Sequence, residues 1–425
     1  MRSKRERFLR CLTAAVCIAS ICLTVGCGAD EIPSGAITET SASTIPESEE
    51  TTAMTVPTEP VDLSKGITDD MYKRAVINVG DRSRLAEKIR ILKSGGTIKL
   101  GYIGGSITQG SLASSSDNCY AMLNVCGWAE NIGENVEYIN AGIGATDSYT
   151  GVHRMQKDLL GKKPDVVVVE FSVNDTNPVV NKKSYDSLIR GILSQDNAPA
   201  VILLFMTMED GTSLQDTHKE IGLAYDLPMI SYHEAIMPEV NAGTIVWSDI
   251  SPDNIHPNDI GHMMTAQLLD RFIVETADNL DSIAAPAESF DITSPTGDIY
   301  AGASILSYDD IKPIECDGFA EDEKMQQFGK CWSTTDGGKL TFEVEARNIG
   351  ILFYRTTDGK SGKYDILIDG EKKASIDGDF TGGWGNYAQT KEVMRGKEKQ
   401  PHTVTIIPSD GEENTCMSIL GLMIS

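Results

Sequence analysis

Short apolar runs recur through the middle of the chain at 97–103, 136–140, 165–171, 200–206 and 227–231. Between them the apolar residues return every three to four positions. Runs of this length predict β-strands and the intervening period predicts amphipathic helices, near 118–132, 150–161, 183–194 and 214–225, with a last one from Asp259 to about Val274. An earlier helix opens at Asp81, repeats Leu85, Ile89 and Leu92 on one face, and stops at Gly95-Gly96. Strands alternating with helices build a parallel sheet through crossover units. Val166 to Val169 is apolar at every position, as in a strand covered on both faces. The pattern predicts a three-layer α/β/α sandwich around a five-stranded parallel sheet of the flavodoxin-like kind, spanning 67–278.

After Asp278 the texture changes. A linker around Ala284-Ala285-Pro286-Ala287 leads into apolar runs at 339–346, 349–356, 363–370, 402–410 and 418–425, separated by Gly, Asp and Asn. Alternation along these runs, with turn signals at Asp358-Gly359 and Asp369-Gly370, predicts a second domain over 285–425, an antiparallel β-sandwich, jelly-roll-like. A chain of 425 residues exceeds what one hydrophobic core organises, which agrees with two domains. No internal repeat links the halves.

The first 27 residues read as a targeting segment. Arg2, Lys4, Arg5, Arg7 and Arg10 precede an apolar run from Cys11 to Val25, short for a membrane span but right for a signal-peptide core. Leu23-Thr24-Val25-Gly26-Cys27 resembles a bacterial lipobox, with Thr24 where Leu is usual, and implies lipidation at Cys27 and a cell-surface location, an ordinary signal peptide or an uncleaved anchor being the alternatives. Residues 28–66 are rich in Ser, Thr, Glu and Pro and bury too little apolar surface to order themselves. They read as a disordered tether, so the membrane is a partner only through the lipid anchor.

Charge narrows the partners. The 37 Lys and Arg stand against 62 Asp and Glu, a net −25; setting aside residues 1–26, which hold five of the former and one of the latter, leaves 32 against 61, or −29. Such a surface repels phosphate backbones, which argues against nucleic acid and leaves room for neutral polar substrates. Five of the nine cysteines follow Cys27, at Cys119, Cys126, Cys316, Cys331 and Cys416. Their odd number without C-x-x-C spacing points to neither a zinc site nor a disulfide framework. Cys316 with Cys331 is a possible pair, and buried free thiols are the simpler reading.

Candidate chemistry lies at the strand ends, where ligands gather in open parallel sheets. The run Ile98 to Ile103 ends in Gly104 and Gly105, which deliver Ser106 into Ser-Ile-Thr-Gln-Gly. Taken alone this is a tight strand-to-helix turn. The next strand ends in Asn140-Ala141-Gly142-Ile143-Gly144-Ala145-Thr146, rich in backbone N–H groups near glycines, and the third in Ser172-Val173-Asn174-Asp175. Before the last helix stands Asp253-Asn254-Ile255-His256-Pro257, a carboxylate and an imidazole three apart. A serine hydroxyl needs a base to take its proton and a third group to orient that base; an amide or backbone N–H can donate to a developing oxyanion.

These four blocks resemble the GDSL-type, or SGNH, hydrolase superfamily, over roughly 97–278. The resemblance implies Ser106 as nucleophile and, through its own N–H, an oxyanion donor. It implies Gly144 and Asn174 as further donors, His256 as general base and acid, and Asp253 as its orienting carboxylate. Gly142 also fits the glycine block. The chain departs from the common pattern at Gly105, where Asp is usual, and at Ser172, where Gly is usual. No metal or other cofactor is implied, and His153, His218, His233, His262 and His402 read as structural or surface residues.

The implied reaction is ester hydrolysis through an acyl-enzyme. An exported acidic esterase with a β-sandwich resembles carbohydrate esterases, which makes an O-acetylated polysaccharide or oligosaccharide the expected substrate. In the sandwich, Trp384 and Tyr387 form an aromatic pair suited to a sugar face, a core tryptophan being the commoner role. A lipid esterase, lysophospholipase or thioesterase is the alternative, against which the mostly polar loop Ser111 to Asn118 speaks. A surface glycan-binding protein with an inactive hydrolase domain is a third reading, which the intact Ser, Asn, Asp and His oppose.

Overall fold

The computed structural model describes residues 59–287 and 290–425. The leader, Cys27 and the tether as far as residue 58 lie outside the described residues. Val61 and Leu63, placed in the tether by composition, pack against the folded core, and Val61 N–H donates to Thr244 O at 3.0 Å.

The first domain is built on six strands, β1 Val76–Asn78, β2 Ile98–Gly104, β3 Val136–Gly142, β4 Val166–Glu170, β5 Ala200–Phe205 and β6 Met229–Ser231, in the order β1-β6-β5-β4-β2-β3. Strands β2 to β6 are parallel, as the pattern predicts, and β1 adds an antiparallel edge on β6. Three half-buried residues are too few to show a period, so β1 is silent in the sequence.

Alternation within the strands divides the core in two. Leu100, Tyr102, Val166, Val168, Ile202 and Leu204 face the helices Ser83–Lys93, Tyr120–Asn131, Tyr232–Ala242 and Asp259–Asp278. Ile103, Val167, Val169, Val201, Leu203 and Phe205 face the helices Ser148–Asp158, Val180–Leu193 and Gln215–Ala224. Side chains on opposite sides of a pleated strand thus reach different layers.

The second domain contains β7 Ser304–Leu306, β8 Glu315–Asp317, β9 Ala320–Met325, β10 Gly329–Thr334, β11 Lys339–Arg355, β12 Lys363–Ile368, β13 Glu371–Asp377, β14 Tyr387–Pro408 and β15 Met417–Ile424. Its sheet is antiparallel, ordered β13-β12-β14-β11-β15-β10-β9, with β7 on β15 and β8 on β11. The two sequence runs at 339–346 and 349–356 are one strand. Arg347-Asn348, which reads as a break, coincides with register shifts against β14, and an extra residue bends a strand without ending it. Asp369 (φ 52) and Gly370 (φ 80) close the β12–β13 hairpin, both in the left-handed region that a two-residue turn demands.

The two domains share a core. Tyr300, Ala303, Phe328, Leu352, Leu420 and Met423 of the second belong to the same buried cluster as Tyr149, Val152 and Met155 of the first. Tyr149 and Tyr300 meet edge to face with centroids 5.4 Å apart, and Arg190 pairs with Asp298 at 2.6 Å. The sandwich therefore buttresses the helix Ser148–Asp158 directly. Cys316 and Cys331 are both free thiols.

Candidate active site

Strand register sets the site. Gly104, the last residue of β2, pairs with Gly142 at the end of β3 on one side and with Glu170 at the end of β4 on the other. The segments carrying Ser106, Gly144 and Asn174 therefore leave the sheet at one level. Arg154, almost wholly buried, ties these ends together: its guanidinium donates to Gly104 O at 2.9 Å and to Ala141 O at 2.6 Å, with Asp158 as its ion-pair partner at 3.1 Å. A buried charge is tolerable when it is paired and hydrogen-bonded; both terminal nitrogens of Arg154 are bonded here, while its Nε has no partner.

Ser106 begins a one-turn helix, Ser106–Gln109, closed by Gly110 at φ 98. His256 Nε2 lies 2.8 Å from Ser106 Oγ, and His256 Nδ1 lies 2.8 Å from Asp253 Oδ2. The other carboxylate oxygen of Asp253 accepts from the backbone N–H groups of Ile255 and His256 at 2.8 and 2.6 Å. Burial acts to raise the Asp253 pKa, but the hydrogen bonds from His256 and Ile255 outweigh it and hold the carboxyl below its ordinary range. The loop is braced from behind by Trp247 Nε1, which donates to Asp253 O at 2.7 Å, and by Ser251 Oγ, 2.7 Å from the carbonyl oxygens of Asp253 and His256. The hydroxyl, imidazole and carboxylate thus form one hydrogen-bonded series in which the carboxylate selects the tautomer with a free Nε2 facing the hydroxyl.

Asn174 lies against Gly105. A Cβ at position 105 would collide with the Asn174 carboxamide, whose buried Oδ1 has no hydrogen-bond partner. Gly105 has an unexceptional φ of −87, so the need for glycine there is steric: the space a side chain would take holds the asparagine. Ser172, the other departure, is fully buried; its hydroxyl accepts from Met206 N–H at 2.7 Å and donates to Met206 O at 3.1 Å, joining the end of β4 to that of β5.

The two glycines of the second block part company. Gly142 donates to Asn140 Oδ1 at 2.8 Å and packs so tightly on the backbone of Thr108 and Gln109 that a Cβ has no room. Gly144 lies at the serine, where a Cβ would sit 3.8 Å from Ser106 Cβ, and its N–H donates to Gln109 Oε1 at 2.7 Å.

Beneath these loops is a buried group that the sequence reading missed. Burial pushes the Glu170 carboxyl up to about 8, against the opposing pull of the Thr108 hydroxyl and the backbone N–H groups of Ser172 and Gly105. Its signal was available: it is the one charged residue in the apolar run 166–171. Nearby, His218 Nε2 meets Asp175 Oδ2 at 2.8 Å and the ring stacks on Tyr185 at 3.7 Å. His153 and His262 are lowered to about 4 by burial, His233 lies beside Glu234 at 3.1 Å, and His402 pairs with Asp369 at 2.7 Å in the sandwich. Among the described residues no group of three or more His, Cys, Asp or Glu is placed to hold a metal ion. Trp384, for which a core position is the commoner role, is 69% exposed; Trp128 and Trp332 fill the cores instead.

An open α/β sheet with a serine, a histidine and an aspartate linked at its strand ends defines a serine hydrolase. Residues 102–264 match the GDSL-like lipase/acylhydrolase family. Over the whole fold the chain is similar to a crystal structure of a two-domain esterase active on acetylated mannans, with 30% identity, a TM-score of 0.77, and coverage of 83% of this chain and 98% of that one. A second structure, of a two-domain esterase active on acetylated mannans co-crystallised with mannopentaose, matches with 29% identity, a TM-score of 0.76, and coverage of 83% and 97%. No curated protein matches the chain in sequence. The chain belongs to the GDSL-like lipase/acylhydrolase family, within the SGNH hydrolase superfamily, and is an ester hydrolase.

Proposed function

We propose that the protein removes O-acyl groups, foremost O-acetyl, from a polysaccharide or oligosaccharide through an acyl-serine intermediate. The observation that carries this reading is the series Asp253, His256, Ser106 at 2.8 Å per step, with Asn174 and Gly144 beside the serine. Ser106 Oγ attacks the ester carbonyl while His256 Nε2 takes its proton. The N–H groups of Ser106 and Gly144 and the Asn174 amide receive the oxyanion. His256 then gives the proton to the leaving sugar hydroxyl, and water, activated by the same nitrogen, releases acetate and restores the serine.

An acetylated mannan is the first substrate to try, because the relative that this chain matches along both domains is described as acting on one. The loop after the serine favours a small acyl group: Ser114 N–H and Oγ bond to the Asp259 carboxylate at 2.7 and 2.6 Å, and Asn118 Nδ2 joins them at 3.0 Å, a polar latch rather than an acyl groove. On the sandwich, Trp384 and Tyr387 stack at 4.8 Å with Phe380 edge-on to both; Trp384 is exposed and the other two rings are half-buried, and we assign this aromatic group to contact with the glycan. Export and lipid anchoring at Cys27 complete the proposal and place the esterase where polymeric glycans are met.

Turnover of nitrophenyl acetate, butyrate, octanoate and palmitate, followed by acetate release from acetylated mannan, xylan and chitin, tests the reading. Acetate is expected to be preferred among the nitrophenyl esters. A preference for octanoate or palmitate means a lipid esterase, and binding of glycan without any hydrolysis means an adhesin. For the oxyanion role, Asn174→Ala is expected to lower kcat by about 10²–10³ at an unchanged melting temperature; near-normal turnover removes Asn174 from the machinery.

A further inference from the structure

The Gly144 N–H is occupied. Gln109 stands three residues after Ser106, at the end of the same one-turn helix, and its side-chain Oε1 accepts from Gly144 N at 2.7 Å. A backbone N–H can only donate, so the amide must present its oxygen here. That oxygen belongs to an sp² carbonyl, uncharged, beside the nucleophile: the same kind of acceptor as the carbonyl of an ester substrate. Gln109 itself is exposed, and nothing in the core depends on its position. Gly110 at φ 98 turns the chain away immediately afterwards, so the side chain is free to swing into solvent.

We infer that the Gln109 carboxamide occupies the Gly144 donor of the resting enzyme and is displaced by the substrate carbonyl, which makes Gln109 a determinant of KM. The inference rests on the proposed role of Gly144 as an oxyanion donor. It follows from the relative strengths of the acceptors. A neutral ester carbonyl and a neutral amide carbonyl compete on near-equal terms for one N–H, so the side chain opposes substrate binding. A developing oxyanion accepts about twice as strongly as a neutral group, so once the tetrahedral species forms the side chain no longer competes. The obstruction falls on the ground state and spares the chemical step.

The competing role for the same contact is a brace. Ala145 holds φ at 57 without being glycine, and the Gln109 bond could serve to keep this strained loop in position. The two roles separate kinetically. Gln109→Ala and Gln109→Asn, the second too short to reach Gly144, are expected to lower KM for nitrophenyl acetate about two- to ten-fold, the net worth of one hydrogen bond, with kcat/KM rising by the same factor. The Ki of methylboronic acid, which places a tetrahedral oxygen in the same position, is expected to fall in parallel. Gln109→Glu sets a charged acceptor against Gly144 N–H and is expected to raise both constants. Unchanged KM and Ki in the Ala and Asn variants, or a fall in kcat at constant KM as a brace would give, overturns the inference. If Ser106→Ala retains turnover, the proposed function itself fails; if Ser106 is essential and the Gln109 variants behave as wild type, only the inference fails.

Discussion

Ser106→Ala is expected to lower kcat by about 10⁶, the loss found when the nucleophile is removed from a hydrolase whose serine, histidine and aspartate act as one unit. The size of the effect follows from the lack of a substitute. His256 Nε2 has Ser106 Oγ as its hydrogen-bonded partner at 2.8 Å, so an enzyme with alanine at this position can use its base only on water, through a different geometry. The fold gives no reason for a stability change, because Gly105, not Ser106, stands at the cap of the short helix and makes no side-chain cap bond. The measurement is kcat on nitrophenyl acetate beside the melting temperature and the binding of mannan oligosaccharide, both expected to persist. His256→Ala should fall to a similar level, and the double variant should be no worse than either single one, since the residues contribute jointly. A Ser106→Ala enzyme within ten-fold of wild type would remove the serine from the mechanism.

Why so much of this site could be read from the chain, and why part of it could not, depends on the range of the interactions. Asp253 and His256 are three residues apart, and the carboxylate also caps the N–H groups of residues two and three ahead of it, so the pair is a local unit that spacing alone reveals. Ser106 and Asn174 were legible because each follows an apolar run whose end is plain. Gly142 and Gly144 were not separable: both are glycines, and their difference lies in what they meet, the backbone of Thr108 and Gln109 for one and the space beside Ser106 for the other. Arg154 was missed for the same reason. Its helix is recognisable, but its two acceptors sit on β2 and β3, 50 and 13 residues away in sequence.

The departure at Gly105 shows how one local anomaly acquires a cause only in three dimensions. In the sequence it is a missing aspartate; in the fold it is the room that lets the Asn174 carboxamide lie against the residue before Ser106. The second domain was legible as a sheet and illegible in detail, because polar Arg347-Asn348 interrupts the alternation where β11 bends without ending. Tertiary bonds hold that bend: Asn348 Nδ2 donates to Ile299 O and to Ser425 Oγ, each at 2.7 Å. For Trp384 the sequence left a sugar-facing and a core position both open; it is exposed, on the loop between β13 and β14, where it stacks on Tyr387.

Asp253→Asn is expected to lower kcat by about 10⁴, the cost of holding the base in the wrong tautomer, while leaving the loop intact. The carboxylate does two separable things. One oxygen caps Ile255 and His256 N–H, which an asparagine Oδ1 can also do; the other accepts from His256 Nδ1. In the variant, an NH₂ group takes the second position and can only donate, so Nδ1 must become the acceptor and the ring proton moves to Nε2. That nitrogen then faces Ser106 Oγ as a donor and has no lone pair with which to take its proton. Asp253→Ala removes both functions: the imidazole keeps access to either tautomer, but the two N–H groups lose their cap and the loop its shape. The pair of variants therefore separates electrostatic from structural causes. Asn should retain the wild-type melting temperature and lose turnover, whereas Ala should lose both. Turnover in Asp253→Asn close to wild type would mean that the tautomer is fixed by something other than this carboxylate, and the loop contacts from Trp247 and Ser251 to the backbone of the same segment would be the place to look.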